Sequence, residues 1–101
     1  GRADSVIISG GIKYSPETLE RKLGRLINRR LVISSVADEK LGERLVLVIE
    51  GASFDINSLK LQMAEVFTSY ECPKSIFFID RFPETNSGKI IRKEVKEWLG
   101  K

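Results

Sequence analysis

Histidine is absent from the sequence, and cysteine occurs once, as Cys72. These two facts exclude an intramolecular disulfide, a zinc site of cysteine and histidine ligands, and catalysis that uses a histidine base. No apolar run approaches the ~20 residues that a membrane-spanning helix requires, so we expect no membrane span. A single free thiol suits a reducing compartment, and we therefore expect a cytoplasmic protein.

The chain also has little net charge, because 17 lysines and arginines against 14 acidic residues give a formal charge of +3. That balance is compatible with an anionic ligand and falls far short of the strongly basic composition typical of nucleic-acid-binding domains. A length of 101 residues, with 42% hydrophobic and 31% charged residues, is typical of one soluble globular domain. We therefore interpret residues 1–101 as a single domain.

Three segments carry apolar residues at the spacing of an amphipathic helix. Ser15 is predicted to be the N-cap of the first helix, and Asp55 or Asn57 is predicted to cap the second. We expect Met63 and Trp98 to lie in the core, since both occur on apolar stripes. The three stripes are Leu19, Leu23, Leu26 and Ile27; Leu59, Met63, Val66 and Phe67; and Ile91, Val95, Trp98 and Leu99.

Short runs of β-branched and aromatic residues predict β-strands at residues 6–8, 31–36, 44–50 and 75–80. The short link at residues 38–43 predicts an antiparallel connection between the second and third of these strands. The predicted order is strand, turn, helix, two strands, helix, strand, loop and helix. It indicates an α+β domain in which about three helices pack on a small mixed or antiparallel sheet.

The first candidate site is the glycine pair Gly10-Gly11, which lies between a predicted strand and a predicted helix. Two adjacent glycines are typical of a tight turn. They also leave a stretch of backbone bare, so that a ligand can approach it closely. The third glycine of a dinucleotide-binding fingerprint is missing, which excludes that motif.

The second candidate site is the segment at residues 83–92, in which turn-forming residues surround Lys89 just before the last predicted helix. It is not a phosphate-binding P-loop, because Pro83 and Ile90 replace the glycine and the serine or threonine of that motif. Two interpretations stay open. Lys89 is either an ordinary solvated lysine, or the residue of a mobile loop that delivers one positive charge to an anionic centre.

A third group of candidate residues is basic, since Arg21, Arg25 and Arg29 recur at helical spacing opposite the leucine stripe. A solvated helix face and a surface that binds RNA or another polyanion both fit this pattern. No aromatic residues interleave with these arginines, which disfavours base stacking, and we expect no nucleic-acid partner. A non-enzymatic polyanion-binding module is kept as the alternative from a different functional class.

Four separated segments form one pattern that extends over nearly the whole chain: Gly1-Arg2-Ala3-Asp4; Ser9-Gly10-Gly11-Ile12-Lys13; Pro16, Glu17 and Glu20; and Phe82-Pro83 followed by Gly88-Lys89-Ile90 and Arg92. This pattern resembles the C-terminal domain of adenylate-forming acyl-CoA synthetases. Within that family, residues 33–36 and 38–43 are most similar to o-succinylbenzoate–CoA ligases of menaquinone biosynthesis.

The resemblance implies the mobile C-terminal lid domain of a ligase that converts a small-molecule carboxylic acid, ATP and coenzyme A into acyl-CoA, AMP and pyrophosphate. The implied partner is a larger N-terminal adenylation domain of the same enzyme, which would hold Mg²⁺ and most of the ATP. The chain by itself is then expected to be inactive. A domain that loads a carrier protein instead of coenzyme A is the near alternative.

The resemblance also assigns the residues of the adenylation step. Lys89 is implied to be the catalytic lysine, and Arg2 is implied to contact the nucleotide. Residues 1–5 form the implied hinge region to the N-terminal domain, with Asp4 at the hinge position. No residue is assigned as a metal ligand.

For the second step, the resemblance implies that Gly10 and Gly11 line a tunnel for the pantetheine arm of coenzyme A. Lys74 matches a lysine that contacts coenzyme A phosphates, and Tyr70 matches an aromatic position close by. Tyr70 equally fits a core position, because it follows the second helical stripe. Cys72 replaces an arginine that some relatives carry, which implies a different phosphate clamp.

Overall fold

A computed structural model describes residues 6–100, in which five strands and three helices follow one another. The elements are β1 (Ile7–Ser9), β2 (Ile12–Tyr14), α1 (Pro16–Leu23), β3 (Leu31–Asp38), β4 (Gly42–Glu50), α2 (Asn57–Val66), β5 (Ser75–Ile79) and α3 (Arg92–Leu99). The predicted α+β class with three helices is confirmed. The order also agrees with the prediction except for β2, which the sequence had indicated only as part of a turn.

The described strands form two separate sheets. In the larger sheet, β3 is antiparallel to β4, and β4 is parallel to β5, so the sheet is mixed. The smaller sheet is the antiparallel pair of β1 and β2. The link between β3 and β4 is shorter than predicted, because pairing continues until Asp38 lies opposite Gly42. The Asp38 carboxylate accepts hydrogen bonds from the N–H groups of Lys40 and Leu41, both at 2.9 Å, which stabilises this turn.

The larger sheet buries apolar side chains on both faces, because successive residues of a strand point to opposite sides. Leu47 of β4 belongs to the cluster that α1 and α2 cover, together with the predicted core residue Met63. Val48, the next residue, belongs to the cluster that α3 covers with Val95. Trp98 packs against this second cluster but is only partly buried, so the prediction that it lies in the core is only partly correct.

Helix α1 begins as predicted and ends earlier than predicted. Ser15 is its N-cap and Pro16 its first residue, the position at which the missing N–H of proline costs nothing. The helix ends at Leu23, whereas the stripe had indicated one more turn. The N–H groups of Leu26 and Ile27 instead donate to the carbonyl oxygen of Leu23, both at 2.9 Å, and this turn still buries Ile27.

The predicted caps of α2 are displaced by one residue, because the N-cap position is occupied by Ile56. The carboxylate of Asp55 still accepts a hydrogen bond from the N–H of Asn57 at 3.0 Å. Asp55 therefore satisfies one of the unpaired donors of the first turn without being the cap itself.

The predicted basic helix face does not form, because Arg25 and Arg29 follow the end of α1 and only Arg21 lies on it. Arg29 instead donates hydrogen bonds to the backbone carbonyl oxygens of Glu50 and Ala52. The interpretation as a polyanion-binding surface depended on a shared helical face, and the early end of α1 removes its basis.

Candidate functional site

Lys89 lies in a loop whose backbone is closed by hydrogen bonds on both sides. The loop begins at Pro83, whose carbonyl oxygen accepts a hydrogen bond from the N–H of Ile91 at 2.9 Å. Glu84 and Ile90 then form an isolated antiparallel bridge. The N–H of Thr85 donates to the carbonyl oxygen of Lys89 at 2.8 Å. The loop expected to be mobile thus has the closed backbone of a small hairpin.

The tip of this loop is formed around the side chain of Thr85. Its Oγ1 accepts a hydrogen bond from the N–H of Lys89 at 3.1 Å, and it lies 3.0 Å from the hydroxyl of Ser87. Gly88 turns the chain with a φ of 86°, a conformation that glycine adopts at little cost. The Lys89 side chain is exposed, and within residues 6–100 no ion pair or hydrogen bond engages its ammonium group. A fixed backbone thus carries a positive charge that is unpaired within the described residues.

The stem of the loop is attached to the larger sheet through Arg30, which lies between α1 and β3. The Nε and Nη2 atoms of Arg30 donate to the Glu50 carboxylate at 3.1 and 2.6 Å, and Nη1 donates to Glu84 at 2.7 Å. Glu50 also accepts a hydrogen bond from the N–H of Phe82 at 2.9 Å. The hydrogen bond from Arg30, followed by that from Phe82, holds the pKa of Glu50 below its usual range.

An open groove of about 830 Å³ runs beside Lys89 along α3. Of the other cations that line it, Lys96 donates to the carbonyl oxygen of Ser35 at 3.0 Å and lies 3.5 Å from Glu43. Lys93, like Lys89, has its ammonium group unpaired within the part of the chain that the structure describes. Within residues 6–100, Lys89 and Lys93 therefore offer the groove two unpaired positive charges.

The wall of this groove is held by a bidentate ion pair between α1 and α3. Both Nη atoms of Arg92 donate to the carboxylate of Glu20 at 2.7 Å, and Glu20 also accepts a hydrogen bond from the N–H of Ile33 at 2.8 Å. The hydrogen bonds that Arg92 donates to Glu20 raise the pKa of Arg92; burial opposes this shift, and the charges of Glu20 and Glu17 add to it. The residues occur in the motif that suggested the family, but their spacing of 72 positions gave no sign of the contact.

The glycine pair forms the two-residue turn between β1 and β2, with Ser9 paired to Ile12. Gly10 and Gly11 have φ angles of 59° and 82°, the combination that tight hairpin turns require and that other residues resist. The N–H of Gly10 donates to the carbonyl oxygen of Leu41 at 2.9 Å, so the turn is attached to the link between β3 and β4. Gly11 has open space around the position that a side chain would occupy.

A cleft of about 270 Å³ next to this turn brings together three of the four residues implied for coenzyme A: Gly10, Tyr70 and Lys74. Gly11 does not line it. Tyr70 is 71% exposed, so its interpretation as a core residue is wrong. Lys74 is exposed, and its Nζ donates to the carbonyl oxygen of Ser69 at 3.3 Å. Its charge is thus available at the mouth of the cleft.

Cys72 also lines this cleft and is partly buried. Burial raises the pKa of its thiol, and the nearby charge of Lys74 opposes the shift without cancelling it. The thiol is therefore predominantly protonated near neutral pH, since its pKa lies above the ordinary value of 9.0. It adds an apolar wall to the cleft and no reactive anion.

The predicted site residues thus occur at two separate places in the described structure. Lys89 lines the groove along α3, whereas Gly10, Tyr70 and Lys74 line the cleft beside the hairpin turn. Arg2 and Asp4 lie outside residues 6–100. In that range no group of three or more cysteine or acidic side chains is placed to hold a metal ion, and no helix is long and apolar enough to cross a membrane.

Comparison with known proteins gives a match over most of the chain. The family model described as the AMP-binding enzyme C-terminal domain matches residues 17–89, a segment that includes Tyr70, Lys74 and Lys89. A solved structure of an acyl-CoA synthetase-like protein from Dyadobacter fermentans superimposes with a TM-score of 0.80 at 34% identity, over 98% of this chain and 30% of that one.

Three relatives show the same pattern of coverage. The uncharacterized acyl–CoA ligase YhfT of Bacillus subtilis is 38% identical over 100 residues, which is 98% of this chain and 21% of the relative. A 2-succinylbenzoate–CoA ligase of Listeria monocytogenes is 31% identical over 95% of this chain and 21% of its own length. A feruloyl-CoA synthase of Amycolatopsis is 33% identical over 98% of this chain and 21% of its own length. The chain thus spans about a fifth of the length of these relatives.

Proposed function

This chain belongs to the family of AMP-binding enzyme C-terminal domains, and we propose that it works as the mobile C-terminal domain of an ATP-dependent acyl-CoA ligase. The observation that carries the proposal is the ammonium group of Lys89, which has no partner among residues 6–100 and belongs to a loop with a fixed backbone. The partner in the proposal is a larger N-terminal domain that holds the acid, Mg²⁺ and most of the ATP.

In the first half-reaction, a carboxylate oxygen of the acid attacks the α-phosphorus of ATP, and pyrophosphate leaves. Two anions approach each other in this step, so a positive charge held close to the reacting oxygens lowers the barrier. Lys89 supplies that charge in the proposal, and within the part of the chain that the structure describes no ion pair has to break before its ammonium group acts. Arg2 is proposed to contact the nucleotide in the same pose.

In the second half-reaction, the sulfur of coenzyme A attacks the acyl carbon of the adenylate, and AMP leaves. The cleft beside the hairpin turn supports a role here, because Gly10 presents bare backbone beside the apolar rim of Leu41 and Tyr70. Lys74 at the mouth of the cleft is proposed to bind a phosphate of coenzyme A. Gly11, at the tip of the turn, is proposed to line the path of the thiol.

The two sites explain how one small domain serves two reactions. Lys89 and the glycine turn line different clefts. A rotation of the whole domain can therefore present first one and then the other to the N-terminal domain. Asp4 is the proposed hinge residue.

The acid is proposed to be 2-succinylbenzoate, which would place the enzyme in menaquinone biosynthesis in the cytoplasm. The support is the similarity to the Listeria 2-succinylbenzoate–CoA ligase. The feruloyl-CoA synthase is 33% identical against 31% for the Listeria enzyme, so ferulate is the acid to compare.

The experiment uses the intact enzyme and measures AMP release with each acid, in the presence of coenzyme A or of a carrier protein that bears a phosphopantetheine arm. We expect AMP release that requires 2-succinylbenzoate and coenzyme A together. Turnover with ferulate but not with 2-succinylbenzoate would show that ferulate is the substrate. Acylation of the carrier protein without turnover on coenzyme A would show that the carrier protein is the acceptor. No ATP-dependent turnover with either acid would contradict the proposal of a ligase for such substrates.

A further inference from the structure

We propose that Arg30 is a positioning residue for the adenylation step, because it ties the stem of the Lys89 loop to the larger sheet. The inference rests on the proposed function, in which Lys89 acts on the α-phosphate. It adds a residue that lies far from Lys89 along the chain.

The first part of the evidence is the attachment of Arg30 to the sheet. Its guanidinium binds both carboxylate oxygens of Glu50, the last residue of β4, at 3.1 and 2.6 Å. The backbone carbonyl of Arg30 accepts a hydrogen bond from the N–H of Glu50 at 3.0 Å. The guanidinium also lies 5.9 Å from the centre of the Phe82 ring, which is only 1% exposed. Arg30 is therefore fixed at both its backbone and its side chain.

The second part is the contact from Arg30 to the loop. Its remaining Nη1 donates to Glu84 at 2.7 Å, and Glu84 forms the bridge with Ile90, the neighbour of Lys89. From the other side, Glu50 accepts a hydrogen bond from the N–H of Phe82, just before the loop. The Arg30–Glu50 ion pair thus contacts the loop at two points: Arg30 binds Glu84 within the loop, and Glu50 binds the N–H of Phe82 just before it.

These contacts matter because the Lys89 ammonium has none of its own within residues 6–100. Its position relative to a substrate depends on the backbone that carries it. An isolated exposed ion pair contributes little to stability. A bidentate arginine in a network contributes more, and it also fixes the relative positions of the groups that it joins. A displacement of about 1 Å at a reacting group can cost as much as ~10²-fold in rate.

The experiment measures ATP–pyrophosphate exchange and thioester formation from supplied acyl-adenylate in the intact enzyme. We expect Arg30→Ala to lower kcat for exchange by about 10–100-fold, with thioester formation nearly unchanged. Arg30→Lys should restore little, because an ammonium cannot bind both carboxylates in the same fork. Glu84→Gln, a milder change at an exposed residue, should shift exchange in the same direction by a smaller factor.

Arg29→Ala is the matched control, since Arg29 lies in the same link but donates to the backbone carbonyl oxygens of Glu50 and Ala52 and lies over the Phe54 ring. Among residues 6–100 it forms no hydrogen bond or ion pair with the carboxylate of Glu50 or of Glu84. It should leave exchange at the wild-type rate. Urea unfolding of each variant then checks that a loss of exchange is not a loss of folded enzyme.

The decisive test adds Arg30→Ala to Lys89→Ala. If Arg30 acts through Lys89, the double variant exchanges no more slowly than Lys89→Ala alone. Equal losses in both backgrounds, or an equal loss of both half-reactions, would overturn the inference. If Arg30→Ala exchanges normally while Lys89→Ala loses exchange, the inference about Arg30 is overturned and the assignment of Lys89 stands. Normal exchange in Lys89→Ala would overturn the assignment of Lys89, and this inference with it.

Discussion

The Lys89 loop and the glycine turn between β1 and β2 are both tight connections, yet they offer opposite chemistry. The loop exposes a charged side chain and surrounds its backbone with hydrogen bonds. The turn exposes backbone without side chains, and the cleft beside it is mainly apolar, with Lys74 at its mouth. The first suits a reaction between anions, whereas the second suits the passage of a narrow, mostly uncharged arm.

In our proposal, the loop therefore depends on a side chain and the turn depends on the lack of one. Lys89 acts in our proposal through a charge whose position the backbone sets. Gly10 and Gly11 act in the proposal by leaving room for coenzyme A. Their positive φ angles of 59° and 82° form the turn, and glycine adopts such angles at little cost. Substitutions at the two places should therefore affect different half-reactions.

A large effect is expected at the glycine turn. Gly11→Leu should lower thioester formation from supplied acyl-adenylate by at least ~10²-fold, because the side chain fills the path of the thiol. ATP–pyrophosphate exchange should stay close to normal. Gly11→Ala is the control, since it has the same backbone strain at a φ of 82° with only a methyl group. Equal losses in both half-reactions, or equal losses in both variants, would contradict a role of Gly11 in the tunnel.

A second, smaller effect concerns the ion pair that joins α1 to α3. Glu20→Gln removes the charge that binds Arg92 at 2.7 Å and joins α1 to α3. We expect the free energy of unfolding in urea to fall by about 1.5–3 kcal/mol, the contribution of hydrogen bonds to a charged group. Glu97→Gln on the exposed side of α3 is the control and should change it little. Equal stability of the two variants would show that the ion pair does not hold the helices together.

The smallest effect concerns the mouth of the cleft. Lys74→Ala should raise the half-saturating concentration of coenzyme A by about 2–5-fold, since an exposed ion pair contributes only ~0.5–1 kcal/mol. Exchange of ATP with pyrophosphate should not change, because that reaction does not use coenzyme A. An unchanged half-saturating concentration would remove Lys74 from the proposed site.

The sequence was sufficient for the elements that local patterns determine. The apolar stripe around Met63 predicted α2, and the β-branched run that includes Val48 predicted β4. It missed β2, because three residues after a glycine pair are too few for an alternating pattern. The sequence also predicted α1 to be too long. Ile27 is buried at the position that a helix would give it, but it belongs to a turn that follows the helix.

For the candidate site, the resemblance supplied residues and not their surroundings. The contact between Arg30 and Glu84 joins residues 54 positions apart, and no local pattern encodes such a pair. Nothing in the local sequence distinguishes Arg30 from the other basic residues that follow α1. A signal was present in Glu84, an acidic residue within the loop, but its partner became visible only in three dimensions.

The most direct test of the account compares Lys89→Ala with Lys93→Ala in the intact enzyme, both exposed lysines that line the same groove. We predict that Lys89→Ala lowers ATP–pyrophosphate exchange by about 10²–10³-fold, by analogy with the loss of one donor to a developing negative charge. Thioester formation from supplied acyl-adenylate should persist, and Lys93→Ala should cause a much smaller loss of exchange. Unchanged exchange in Lys89→Ala, or an equal loss in both variants, would contradict the claim that Lys89 supplies the charge of adenylation.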